Sequence, residues 1–211
     1  EKIKIGYLSP HFGEHPVGRC VVGLLERHDK SRFKIFAYAS KSHPGHPIQE
    51  LVRDSVDHLR DLDGATETEI QGHITSDKLD ILIDLDGYSQ GLPAVIANRP
   101  APVLVNYLGF PGTSGGLHDY IIGDRMTIPR GTEEHYTESV AWMPHCYLPP
   151  PAEIDTTIQK PTRHAEGLPE HGLILAAFHT PYKITPEAFD AWCAVMRSVP
   201  GASLWLLDGI P

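Results

Sequence analysis

Long apolar runs are missing from this chain of 211 residues: none approaches the roughly 18–20 consecutive apolar residues of a bilayer-crossing helix. The opening Glu1-Lys2-Ile3-Lys4-Ile5 has neither the apolar core nor the small-residue cleavage site of a signal peptide, and it reads as a first strand. Cysteine is scarce. Cys20, Cys146 and Cys193 are far apart, odd in number and without a CxxC pair. That fits a reducing cytoplasm, with the thiols as small buried hydrophobes, better than a disulfide framework. Basic residues are also short, 18 Lys and Arg against 27 Asp and Glu, for a formal charge of −9. Such a surface repels phosphate backbones, which argues against sequence-independent nucleic-acid binding. Internal repeats and low-complexity tracts are absent, as are a Walker A loop and a GxGxxG fingerprint.

What is present is an ordinary globular composition, with 41% hydrophobic and 21% charged residues, and thirteen histidines. The histidines raise the question of metal binding or catalysis. The length accommodates one domain and a second only if both are small. Strand-like segments alternate with helical ones. Ile3–Leu8, Phe33–Ala39, His58–Leu62, Leu79–Leu85, Val103–Leu108, Tyr120–Gly123 and Val140–Met143 read as strands. Helices are expected from about Cys20 to near Asp29 and over Pro47–Asp57, Glu67–Ser76 and Pro93–Asn98, with Ser9–Gly18 as a loop. Parallel neighbours need crossover connections, so this order predicts an α/β fold with a mostly parallel, Rossmann-like sheet over residues 1–147. A proline-rich linker spans 148–172. After it, strand Leu173–Phe178, a loop to Ile184, a helix capped by Thr185 and strand Leu204–Leu207 form one βαβ unit within 173–211. That unit is too small to bury a core alone and reads as the start of a second domain, in a chain that is a fragment.

Four loops leave expected strand ends, where an open α/β sheet binds ligands. Ser9–Gly18 holds His11, His15 and Pro16; it suits an anion or proton-transfer site, or a proline-bent turn with exposed histidines, and spacing leaves both open. Gly13 and Pro16 argue against a helical metal pair at His11 and His15. In Asp84-Leu85-Asp86-Gly87, the Asp-Gly pair makes turn capping the preferred role for Asp86. Leu108-Gly109-Phe110-Pro111-Gly112-Thr113-Ser114-Gly115-Gly116 carries four glycines, which suits close backbone approach to a sugar or anion more than a flexible connector. His179-Thr180-Pro181-Tyr182-Lys183 places a lysine ahead of a helix start, where it could pair with a diphosphate and stabilise a leaving group.

Taken in order, these segments resemble the catalytic region of the O-linked N-acetylglucosamine transferase family (glycosyltransferase family 41), which includes the plant SPINDLY proteins. The resemblance is carried by Ile5-Gly6-Tyr7-Leu8-Ser9, Phe12-Gly13, His15-Pro16, Asp80 to Tyr88, Arg99-Pro100-Ala101-Pro102, the run Gly109-Phe110-Pro111-Gly112-Thr113-Ser114-Gly115, Met143-Pro144-His145 and Tyr182-Lys183-Ile184. It implies a GT-B architecture with a nucleotide sugar between two Rossmann-like domains. It also implies transfer of N-acetylglucosamine from UDP-GlcNAc to serine or threonine hydroxyls with inversion, no cofactor or metal requirement, a protein or peptide acceptor, and tetratricopeptide repeats upstream. By the same resemblance His15 is the active-site histidine, Lys183 beside Tyr182 neutralises the leaving diphosphate, and Leu108, Gly109 and Pro111 contact the sugar. Gly112 and Thr113 belong to the same loop; His11, Pro16 and Thr180 stand at neighbouring substrate-binding positions. His11 replaces an aspartate of the better-known members, Glu14 an asparagine, Val17-Gly18-Arg19 a Thr-Ser-His run, and Thr180 a glutamine. The alternatives these changes leave are GDP-fucose as donor, or a binding module that has lost catalysis. The 211-residue piece alone is expected to be inactive.

Overall fold

The computed structural model describes residues 2–149 and 159–207. The chain divides into two compact units, Glu1–Ile154 and Asp155–Pro211. Among the described residues of the first, seven strands and four α-helices follow in the order β1 (Ile3–Ser9), α1 (Pro16–Glu26), β2 (Phe33–Ala39), α2 (Pro47–Ser55), β3 (His58–Asp61), α3 (Glu67–Asp77), β4 (Ile81–Asp84), α4 (Pro93–Ala97), β5 (Val103–Asn106), β6 (Tyr120–Gly123) and β7 (Ser139–Trp142). The strands form one sheet in the order β3-β2-β1-β4-β5-β6-β7, with every pairing parallel. The expected α/β, mostly parallel sheet is therefore observed.

Side-chain alternation on the central strands builds two apolar layers. Ile5 lies between Ile35 and Ile81, and Ile81 beside Val103, so one register row presents branched residues to a single face. That face packs on Val17, Val21, Val22 and Leu25 of α1 and on Val52 of α2. The opposite row, through Phe36, Gly6, Leu82 and Leu104, faces Ile70 and Ile74 of α3 and Val95 and Ile96 of α4. Gly6 leaves the space on β1 into which Leu79 and Tyr38 pack. Each fully buried Leu or Ile contributes about 1.5–3 kcal/mol of transfer free energy, so both layers bind their helices firmly.

Helix starts follow local chemistry. Thr66 and Glu69 form a reciprocal capping box at α3. Two His-Pro pairs act alike: His15 and His46 each accept a backbone N–H through Nδ1, from Val17 and Ile48, with Pro16 and Pro47 in the first turn. This corrects the expectation of a loop through Gly18 with a helix from about Cys20. Proline at the first helical position starts α1, and Gly18 sits inside its first turn because no side chain fits there. A Cβ would stand 2.5 Å from the His11 carbonyl oxygen and 2.6 Å from that of Gly13.

Of the expected linker 148–172, residues 150–158 lie outside the described residues; Arg163 ties the remainder together by donating to the Pro169 and Gly172 carbonyls. In the second unit β8 (Ile174–Ala177) and β9 (Ser203–Leu206) pair in parallel through α5 (Pro186–Ser198). Thr185 caps α5, its hydroxyl accepting the Ala188 N–H at 3.3 Å. The expected loop to Ile184 contains a short 3-10 turn, Pro181–Lys183. Residues 208–211 lie outside the described residues. No described helix is long and apolar enough to cross a membrane.

Candidate active site

Strand order fixes where a ligand can sit. From β1 the chain crosses to β2 on one side, while β4, the other neighbour of β1, leads to β5 on the opposite side. Loops after β1 and β4 therefore diverge and leave a crevice at the carboxyl ends of the strands. The histidine loop and the Asp84-Leu85-Asp86 segment meet there.

Asp86 is 1% exposed. Its Oδ2 accepts the Ser9 hydroxyl at 2.6 Å, and its Oδ1 accepts His11 Nδ1 at 2.5 Å. The Ser9 oxygen in turn accepts the His11 backbone N–H at 2.9 Å. Burial raises the Asp86 carboxyl above its ordinary range, against the lowering pull of the Ser9 and His11 hydrogen bonds. Turn capping, expected of Asp86, is performed by Asp84, whose Oδ1 accepts the N–H groups of Asp86 and Gly87 at 3.0 and 3.1 Å. The correction has a geometric cause: Asp84 ends β4 with its carboxylate under the turn, which leaves Asp86 free to face β1.

The His11 ring stacks on that of His15, centroids 3.6 Å apart and planes 11° from parallel. Capping sets the tautomer of His15. Because Nδ1 accepts the Val17 N–H at 3.2 Å, the neutral ring carries its proton on Nε2 and offers a donor. Burial first, then the neighbouring His11, lowers the His15 pKa, with Asp86 opposing. Both effects favour the neutral ring. His11 lies in the loop and His15 at the helix cap, so the two are not an i, i+4 pair on one helix. Among the described residues no group of three or more His, Cys, Asp or Glu is arranged to hold a metal ion.

His15, Pro16, Val17, Cys20, Leu108, Gly109 and Leu148 line a cavity of about 200 Å³. The structure thus brings His15, Pro16, Leu108 and Gly109 together in one wall. Leu108 has φ 79°, a left-handed backbone costly for a leucine, and the Gly109 N–H donates to the carbonyls of Tyr107 and Leu85 at 3.2 and 2.8 Å. A Cβ on Gly109 would lie 2.5 Å from the Leu85 oxygen and 3.1 Å from Val17 Cγ2. Close packing of the β5 loop on β4 and α1 therefore demands glycine.

Pro111, Gly112 and Thr113 do not line this cavity. They lie further along a loop that is pinned at several points. Asn106 Nδ2 donates to the Gly112 carbonyl at 3.0 Å, and Tyr88 donates to that of Ser114 at 2.8 Å. The buried Glu138 carboxylate accepts Thr113 Oγ1 at 2.7 Å, the Ser114 N–H at 2.5 Å and the Ser114 hydroxyl. Sequence reasoning missed Glu138, which nothing local marks, and gave no individual role to Ser9, Cys20 or Leu148. Cys20 was readable, one helical turn beyond Pro16.

In the second unit Thr180 precedes the 3-10 turn, and its side chain makes no capping hydrogen bond. The Lys183 N–H donates to the Thr180 carbonyl at 2.9 Å, and the Lys183 ammonium lies 5.9 Å from the centroid of the Tyr182 ring, a residue 81% exposed. Lys183 stands two residues before the cap of α5, where the free N–H groups of a helix start also favour an anion.

Sequence comparison adds independent findings. The family model for glycosyl transferase family 41 matches residues 1–149 and 150–209. The chain is 32% identical over 214 residues to the probable UDP-N-acetylglucosamine–peptide N-acetylglucosaminyltransferase SEC of Arabidopsis thaliana, covering 98% of this chain and 22% of that protein. It is 29% identical over 209 residues to the Arabidopsis thaliana protein named as the corresponding probable transferase SPINDLY, covering 96% and 22%. Among solved structures, an O-GlcNAc transferase mutant of Thermobaculum terrenum superimposes with a TM-score of 0.85 at 28% identity, over 98% of this chain and 38% of that one. The chain thus spans about a fifth of the length of these curated relatives.

Proposed function

The chain belongs to glycosyl transferase family 41, and on that premise we propose that the intact protein transfers N-acetylglucosamine from UDP-GlcNAc to serine or threonine hydroxyls of a protein acceptor, with inversion. The names of the relatives support this donor and a peptide acceptor. One observation carries the reading to particular residues. His15, Pro16, Leu108 and Gly109, which come from two loops more than ninety residues apart in sequence, form a single cavity at the carboxyl ends of the central strands.

In this reading Leu108 and Gly109 contact the sugar, while Pro111, Gly112 and Thr113, further along the same loop, lie outside the cavity lining. His15 presents Nε2–H as a hydrogen-bond donor to the sugar or the leaving oxygen. Lys183, with Tyr182 and Thr180 beside it, meets the diphosphate. A lysine is a compact charge, and removing one such stabiliser of developing negative charge typically costs about 10²–10³ in rate.

The test is Lys183→Met in the intact protein, with transfer to an acceptor peptide followed by mass spectrometry. The expected outcome is a fall in kcat of about 100-fold or more with an unchanged melting curve. Turnover equal to the parent would remove the assignment. Running UDP-GlcNAc and GDP-fucose in parallel identifies the donor from the mass added to the peptide.

A further inference from the structure

We propose that His11 is the general base of the transfer reaction, held in its working tautomer by Asp86; this inference rests on the transferase reading above. Transfer to a hydroxyl must dispose of that hydroxyl's proton. His15 is poorly suited to take it, because its Nδ1 lone pair is engaged by the Val17 N–H and its Nε2 already bears a proton.

His11 has the opposite arrangement. The Asp86 carboxylate accepts only, so the 2.5 Å contact fixes a proton on His11 Nδ1 and leaves the Nε2 lone pair free. Among the described residues Nε2 has no hydrogen-bond partner, and the His11 side chain keeps 12% of its surface open. Asp86 is itself held. Its second oxygen accepts the Ser9 hydroxyl at 2.6 Å, so the carboxylate cannot swing away from the ring. A buried carboxylate orienting an imidazole through Nδ1–H is the arrangement that makes Nε2 a base and stabilises the imidazolium that forms. The His11 ring stacks at 3.6 Å on His15, which itself lines the cavity.

The titratable groups around His11 are Asp86 and the stacked His15; the Asp84 charge acts on Asp86, and His43 is turned to the Pro10 carbonyl. The step balances. The acceptor oxygen forms a bond to the anomeric carbon, the bond from that carbon to the diphosphate oxygen breaks with its electron pair leaving on the nucleotide, and the hydroxyl proton goes to His11 Nε2.

The experiment is His11→Asn in the intact protein, with UDP-GlcNAc and an acceptor peptide. Asparagine Nδ2 can keep the hydrogen bond to Asp86 while removing the base. The expected result is a kcat lower by about 10²–10⁴-fold, with KM for donor and peptide within about threefold of the parent and the acid limb of the kcat–pH profile gone. If His11→Asn does not fold, Asp86→Asn serves as the second variant. With its amide oxygen kept on the Ser9 hydroxyl, the new side chain donates an amide N–H to His11 Nδ1 and selects the wrong tautomer, so kcat should fall while His11 remains. Parent-like kcat and an intact acid limb in either folded variant overturn the dyad and leave the transferase reading standing. A parent protein that transfers neither sugar overturns both.

Discussion

Replacing Glu138 by glutamine tests whether the glycine-rich loop is held or merely present. The Glu138 carboxylate is 4% exposed and accepts four donors: the Ser114 N–H and hydroxyl, Thr113 Oγ1, and Thr137 Oγ1 at 3.1 Å. Glutamine preserves shape but halves the accepting oxygens and removes the charge. The three hydroxyls can rotate to accept from its amide, whereas the Ser114 N–H cannot, so the remaining oxygen must serve that group. Hydrogen bonds to a charged group are worth about 1.5–3 kcal/mol and neutral ones about 0.5–1.5, so losing charge assistance on two or three bonds costs about 2–4 kcal/mol. For a domain of this size that lowers Tm by about 5–15 °C. The pH dependence gives a second signature. Burial raises the Glu138 pKa, but the hydrogen bonds from Ser114 and Thr113 outweigh it and hold the group below its ordinary 4.5 in the folded protein. As pH falls through that region the unfolded chain takes up the proton first, and the parent loses the stability this group supplies until the folded carboxyl itself titrates. The variant has no such group, so the gap between the two melting curves should close in acid. A difference below about 2 °C at neutral pH would refute the pinned-loop argument.

Two further outcomes follow from the geometry around His11 and His15. Gly18→Ala drives a methyl against the carbonyl oxygens of His11 and Gly13, neither of which can yield without moving the loop, so it should cost about 1–3 kcal/mol in chemical denaturation and lower turnover as well; a parent-like denaturation midpoint would contradict the close approach. An NMR titration of His15 should give a midpoint below 6.5, since burial and the His11 ring disfavour its charged form. The cap on α1 is then present at neutral pH and lost as pH falls through that lowered value, and a midpoint at or above 6.5 would contradict it.

The fold was legible where one strand's own pattern decides the matter. β2 and β6 have the bounds that alternation and β-branched content predict, Phe33–Ala39 and Tyr120–Gly123. β4 is shorter than its apolar run because ladder pairing with β1 covers only Ile81–Asp84, while Leu79 packs into the space above Gly6. The start of α1 was misread because glycine and proline together signal a loop; here proline begins the helix and glycine admits the preceding carbonyls. At the site, His15, Pro16, Leu108 and Gly109 were reachable from motif and resemblance. The roles of Asp84 and Asp86 were not, since both follow a strand and either could cap a turn. What separates them is a partner 75 residues away, chosen by strand order rather than by local sequence.

Strand order also changes how the departure at position 11 should be weighed. With β1 beside β4, residues two positions beyond each strand face one another, so positions 11 and 86 act as a pair. The resembling pattern has aspartate at 11. In this chain an aspartate there would confront the buried Asp86 across a hydrogen-bond distance, and two carboxylates that close cannot both ionise. Histidine turns the same contact into a charge-assisted hydrogen bond and orients an imidazole stacked on His15. The change therefore runs in the direction that a buried acid at 86 requires. Position 11 in this chain therefore gives the buried acid at 86 a hydrogen-bond donor in place of a second carboxylate.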